Sequence, residues 1–223
     1  STGTLNVNVA DDYTHNGDFQ AQGDMTYIIG GNFTNTGKLK GNGALNLSAI
    51  NATNQHNAEI NVSSLNMEVD KLINRGLINA QTAHIIATQK VSNLGTGRIY
   101  ADTLAVSADS LEQLSEGGIA PVLAARERLD LGVQTLINGK DSLIFSAGSL
   151  SIGGALNASY QTTGSATSVS NTGATIESLG NMSLRVEKLD NINAGITLKT
   201  IISTENDIEY KLNPARGGSD KHV

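Results

Sequence analysis

Phe33-Thr34-Asn35-Thr36-Gly37-Lys38-Leu39 returns 39 positions later as Leu72-Ile73-Asn74-Arg75-Gly76-Leu77-Ile78. In both stretches an apolar residue, a spacer and an Asn lead into a Gly, and a second apolar residue stands two places past the Gly. The opening phrase recurs at Ala52-Thr53-Asn54, Val91-Ser92-Asn93, Leu136-Ile137-Asn138, Val169-Ser170-Asn171 and Leu189-Asp190-Asn191. Weaker copies stand at Tyr13-Thr14-His15 and Leu111-Glu112-Gln113. From Tyr13 through Leu111 the first residues of successive copies are 20, 19, 20, 19 and 20 positions apart, the mark of a repeat architecture.

A second series keeps the same time: Gly17 with Phe19, Gly37 with Leu39, Ala58 with Ile60, Gly76 with Ile78 and Gly97 with Ile99. Farther along each unit comes an alternating apolar pair, as in Leu45 and Leu47, Leu65 and Met67, Leu104 and Val106, Leu129 and Leu131, Leu150 and Ile152, Leu184 and Val186. Alternation with a period of two means strand. Strands this short, with no helices between them, cannot bury their apolar faces within one unit, so units must stack on units. The expected fold is all-β: a right-handed parallel β-helix (β-solenoid) of about ten ~20-residue coils with one or two inserted loops, roughly 50 Å long at about 4.8 Å per coil. Phe33, Ala52, Leu72 and Val91 form one inner column in this reading. Leu39, Ile60, Ile78 and Ile99 form another, and Leu45, Leu65 and Leu104 a third. The Asn series is placed at a corner, where Asn accepts left-handed backbone angles and its amide can bond the Asn of the next coil.

Composition agrees with stacked strands. The 223 residues include 24 Gly and 23 Asn, only 2 Pro, and 16% charged side chains against about 25% in an ordinary globular chain. A net charge of -6 gives no electrostatic footprint for nucleic acid, and no apolar run approaches the ~18 residues of a membrane span, so neither nucleic acid nor membrane insertion by this segment is expected. The absence of Cys excludes disulfides and thiolate chemistry. The start at Ser1 and the run Arg216-Gly217-Gly218-Ser219-Asp220-Lys221 suggest an internal fragment, with any export signal outside it.

The period breaks twice, which divides the chain into regular repeats at 1–111, a continuation with insertions at 112–200, and a last strand with a tail at 201–223. From Leu111 to Leu136 the interval is 25, which implies about five extra residues near 112–118. A short helix from Val122 to Arg128 is the rival reading, since Ala124-Ala125-Arg126-Glu127-Arg128 has good helix propensity. Leu156-Asn157 keeps the next interval at 20, but Val169 and Leu189 then demand a coil swollen by about 13 residues, assigned to a Ser/Thr-rich arm at Ser159–Ser168. The alternation from Glu205 to Tyr210 reads as one more strand.

Catalysis has little to stand on. The adjacent carboxylates, Asp11 with Asp12 and Glu205 with Asp207, stand near the ends, where solvated terminal charges are the simpler reading. The four histidines, His15, His56, His84 and His222, lack metal-motif spacing, and surface histidines are expected. Gly153-Gly154 lacks the continuation of a calcium-binding nonapeptide, and Gly41-Asn42-Gly43 opens no helix. No catalytic, cofactor-binding or metal-binding residues are assigned, and no cofactor is expected. Sugar-stacking sites need exposed rings; Tyr27, Tyr100, Tyr160 and Tyr210 are the available ones, with Tyr160, on the arm, foremost. Arg126, Glu127 and Arg128 are the densest charge group: a salt-bridged outer strand face, or a contact patch. Tyr160, Arg126 and Arg128 are thus the candidate receptor contacts.

The phrases Asn35-Thr36-Gly37 and Asn74-Arg75-Gly76, across nearly the whole chain, resemble the repeats of filamentous haemagglutinin-like exoproteins of two-partner secretion, adhesins and contact-dependent growth inhibition toxins among them. The succession Ala124-Ala125-Arg126-Glu127-Arg128-Leu129-Asp130-Leu131-Gly132, then Leu143 through Leu156, then Ala174 through Gly180, is similar to the stretch where the repeat stalk of such proteins leads toward the C-terminal region. The resemblance implies export through a partner outer-membrane transporter, secretion to the cell surface of a Gram-negative bacterium, and stacking on neighbouring repeats of the same exoprotein. The expected role is a non-enzymatic stalk that projects an adhesin tip or a toxin. The alternatives are a segment that itself binds a receptor or glycan and, more remotely, a β-helical polysaccharide lyase or hydrolase.

Overall fold

The computed structural model describes residues 3–194 and, as backbone only, three strands at Thr197–Ile202, Ile208–Asn213 and Lys221–His222. Parallel strands stack as a β-solenoid of about nine turns of ~20 residues, with no helix among the described residues. The first turn holds β1 (Leu5–Val9), β2 (Tyr13–His15) and β3 (Asp18–Ala21), and the second holds β4 (Met25–Ile29), β5 (Asn32–Asn35) and β6 (Lys38–Gly41). Each strand pairs in parallel with its counterpart one turn on, β1 with β4, β2 with β5 and β3 with β6, which gives three faces. β7 (Ala44–Ser48) and β8 (Asn51–Asn54) continue the first and second faces. The long strands β9 (Glu59–Asn74), β10 (Leu77–Leu94), β11 (Arg98–Leu114) and β12 (Val122–Asn138) then bend round the corners, each serving the third, first and second faces in succession. β13 (Leu143–Ser146) and β14 (Ser149–Gly153) follow, then a hairpin of β15 (Ala155–Leu156) and β16 (Thr162–Thr163). β17 (Ala166–Thr172), β18 (Thr175–Ser178), β19 (Met182–Leu184) and β20 (Val186–Ile192) complete the stack.

The inner columns follow the repeat. Tyr13, Phe33, Ala52, Leu72, Val91, Leu111, Leu136, Val169 and Leu189 are successive partners on the second face, and Leu39, Ile60, Ile78 and Ile99 on the third. On the first face Ala83 stands between Leu65 and Leu104, so that column carries one small member. Tyr27 lies in the interior at 2% exposure, packed with Tyr13 and Phe33 at ring-centroid distances of 5.9 and 6.0 Å. Its place as an available surface ring is therefore corrected. Burial, with a smaller contribution from Tyr13, pushes its hydroxyl pKa up to about 12.

The corner Asn residues form a buried amide ladder. Asn35 donates through Nδ2 to Asn54 Oδ1 at 2.9 Å, Asn54 to Asn74 at 2.8 Å, Asn74 to Asn93 at 2.8 Å and Asn93 to Gln113 Oε1 at 2.7 Å. The same Nδ2 groups donate to main-chain carbonyls at the start of the next third-face strand, Glu59, Leu77, Arg98 and Val122. None of these amides has a positive φ; among non-glycine described residues only Asn57, Asp141 and Tyr160 do. Hydrogen bonding, not tolerance of left-handed angles, explains the Asn series. The following Gly answers to close approach: a Cβ on Gly37 would lie 2.2 Å from the Gly17 carbonyl, and one on Gly76 2.4 Å from that of Ala58. His15 heads the ladder, buried rather than on the surface, and its Nε2 sits 3.3 Å from the Lys38 carbonyl. Because a carbonyl only accepts, His15 carries its proton on Nε2 and replaces the donor function of an Asn.

The first insertion is divided. Five positions separate Asn93 from Arg98, but nine separate their partners Gln113 and Val122, so four extra residues enter that corner. The register slips by one more between Ala101 and Thr103, opposite Arg126–Glu127. A bridge from Glu116 to Ile119, with Gly117 and Gly118 at positive φ, tightens the loop, and Arg75 grips Glu116 through two 2.7 Å bonds. The rival helix at Val122–Arg128 is overturned: this stretch begins β12, with Leu123 and Ala125 turned inward and buried. Pairing with β11 and β13 on either side outweighs helix propensity there.

Leu156-Asn157 is not a corner. Leu136 pairs with Val169, and Leu156 pairs antiparallel with Thr162 in the inserted hairpin, which consumes residues that an extra coil would need. Leu184 stands in the column of Ile152 with Met182 beside it, whereas Val186 pairs with Ala166 on the next face. The strand expected from Glu205 to Tyr210 spans Ile208–Asn213 and is the middle of a three-stranded antiparallel sheet; Glu205 and Asp207 lie outside the described residues.

Candidate functional site

The inserted arm folds as a hairpin against the outer surface of the first face. Asn157 turns it, its Oδ1 accepting from the main-chain N–H groups of Ser159 and Gln161 at 2.9 and 3.0 Å. Gly132 makes the docking possible: a Cβ there would lie 2.5 Å from the Ala155 carbonyl carbon and 2.7 Å from Leu156. A glycine inside a strand signals a close approach of backbone, and Leu131-Gly132-Val133 carried that signal. Thr162 is the anchor. Its N–H donates to Asp130 Oδ1 at 3.1 Å, its Oγ1 contacts Ser151 Oγ, and Arg185 donates to both its carbonyl and its hydroxyl.

The three candidate contacts are only partly assembled. Tyr160, at the arm's turn with φ 55°, stacks face to face on His84, ring centroids 3.6 Å apart at 11°. His84 also bonds Asn66 at 3.1 Å. Arg128 pairs with the buried carboxylate of Asp130 at 2.8 Å. Burial first, and the nearby Arg128 charge second, push the His84 pKa below its ordinary value. Arg128, Asp130, His84 and Tyr160 thus form one neighbourhood beneath the arm, and Tyr160 is half-buried rather than free. Arg126 turns round the adjoining corner and pairs with Asp102, its side chain 69% exposed. The His84 partner was missed because residues far apart in turn number meet only after the arm folds back.

Of the carboxylates weighed for catalysis, Asp12 accepts from the Asn32 main chain and side chain at 2.7 and 2.9 Å, which staples one turn to the next. His56 bonds Thr96 at 2.8 Å, and His222 lies where no side chain is described. Among the described residues no three His, Asp or Glu side chains gather in a manner suited to a metal. Tyr100 is half-buried on the third face, and the side chain of Tyr210 lies outside the described ones. Comparison with protein-family models, curated proteins and solved structures returned no match. The solenoid is compatible with a β-helical exoprotein.

Proposed function

We propose that this chain is a non-catalytic stalk segment of a secreted, cell-surface exoprotein of the filamentous haemagglutinin type, which holds an adhesin tip or a C-terminal toxin away from the cell. Export through a partner outer-membrane transporter and stacking against further repeats of the same exoprotein belong to this proposal. The observation that carries it is the ladder from Asn35 to Gln113, in which every turn repeats the same hydrogen bonds to its successor. Such a rod can be lengthened or shortened by whole turns without redesigning its core. The test is deletion of one regular turn, residues 55–74, so that Asn54 takes the place of Asn74. A spacer keeps its circular dichroism and melting behaviour and loses about 4.8 Å of length by small-angle scattering. Collapse of the fold, or saturable binding of the labelled intact chain to bacterial or epithelial cells that is lost with Tyr160→Ala, counts against a passive stalk.

A further inference from the structure

On the outer surface of the third face, Tyr100, Ala124 and Phe145 occupy one column on three successive turns. Their neighbours Ile99, Leu123 and Ile144 point inward with 0% exposure, so the two aromatic side chains are directed outward and both are half-buried. Two strand spacings, roughly 9.6 Å, separate the rings' backbones, and only a methyl group fills the gap. A slot of about 140 Å³ results, with Arg126 and Ala147 at its margin. Arg126 also lines a larger polar groove of about 330 Å³ with Asn61, Asn79, Gln81 and Asp102. The outward column continues from Tyr100 to Asn79 and Asn61, which are hydrogen-bonded to each other at 3.0 Å.

We propose that this slot and the adjoining amide groove bind a neutral chain of pyranose sugars, one ring entering between Tyr100 and Phe145 above Ala124 and its neighbours lying over Asn79 and Asn61. The site is independent of the stalk reading. A pyranose has apolar faces and a polar edge, and here apolar walls stand beside amides that both donate and accept. The Arg126–Asp102 pair adds donors and acceptors while its charges balance. Charge argues against an acidic polymer, since the chain carries a net -6 and the next outward residue after Phe145 is Glu177.

The test is titration of the full chain with neutral oligosaccharides of β-1,4-linked glucose, N-acetylglucosamine and mannose, beside a polygalacturonate oligomer and an aromatic-rich peptide, followed by amide resonances. At least one neutral sugar is expected to shift Tyr100, Ala124 and Phe145 at millimolar concentration, and Ala124→Leu, which fills the slot, to weaken it by roughly tenfold or more. Tyr100→Leu should weaken it as well, and Tyr160→Ala should not. The proposal is overturned if no neutral sugar shifts these resonances, if binding survives Ala124→Leu in a chain with an unchanged amide spectrum, or if only the peptide or the acidic oligomer binds.

Discussion

The amide ladder runs in two lengths that differ at one joint. From Asn54 to Gln113 every side-chain oxygen receives the donor of the turn before, and from Asn138 to Asn191 the bonds resume at 2.8 Å. Between the lengths the chain fails to connect. Gln113 turns its Nε2 to the Leu143 carbonyl at 3.0 Å, and Asn138 Oδ1 is left buried without a partner. The break coincides with the corner that received four extra residues and with the one Gln in the series. The Gln113 amide, on a stem one methylene longer, keeps only the bond to the carbonyl that opens the next third-face strand, the counterpart of Val122 for Asn93 and of Thr175 for Asn138. The core columns cross the same joint unperturbed, since Leu111 still pairs with Leu136 and both are fully buried. Apolar stacking therefore tolerates what directional bonding does not.

The largest effects should ignore the joint. Leu72→Ala and Leu136→Ala, one on each side of it, are expected to cost about 2 to 5 kcal/mol apiece by urea unfolding. A loss below about 1 kcal/mol at either would contradict the column assignment. The ladder should discriminate between the two lengths. Asn74→Ala strands the Asn54 donor, the Asn93 acceptor and the Arg98 carbonyl, and should cost about 3 kcal/mol. Asn138→Ala should cost about half as much, since its oxygen has nothing to lose; equal losses would show that the joint is not a weakness. Gln113→Asn should shorten the reach and let position 113 donate to Asn138 Oδ1, a gain of about 1 kcal/mol. An unchanged urea midpoint would place the cause in the corner loop alone.

The smallest effect concerns the arm. The folded pKa of His84 lies below 6.5, so the unfolded chain binds more protons, and the stabilisation present above pH 6.5 is lost as pH falls below it toward the folded value. The Tyr160 ring resonance, shifted by stacking on His84, should move toward its free position on acidification; His84→Gln should remove that dependence. A Tyr160 resonance that stays put through the acid titration would dissociate the stack from the imidazole charge.

The solenoid was legible because its information is local and repeated. Leu72, Asn74 and Ile78 announce burial, corner and next strand within seven residues, and every turn says it again. What eluded sequence reading depends on where an interruption lands. The spacing of Leu156-Asn157 from Leu136 imitated a corner, yet Gly132 beneath it marked a docked backbone instead. Tyr27 alternates in step with Met25 and Ile29 and pairs with Leu47, the parity of an inner residue, and Tyr13 and Phe33 on an adjoining face pack against it there. Tyr100 and Phe145 stand 45 positions apart, and the four residues inserted in the corner between Gln113 and Val122 hide from the repeat spacing that they share one column.

All ladder donors point the same way, toward the next turn along the chain. Through Asn74 no ladder amide reaches a partner more than 24 residues downstream. A polypeptide arriving end first could therefore be finished in instalments, each completed turn offering waiting N–H groups as a template for the next stretch. The rod is directional in its construction as well as in its form: its leading end can be set while its trailing end is still unmade.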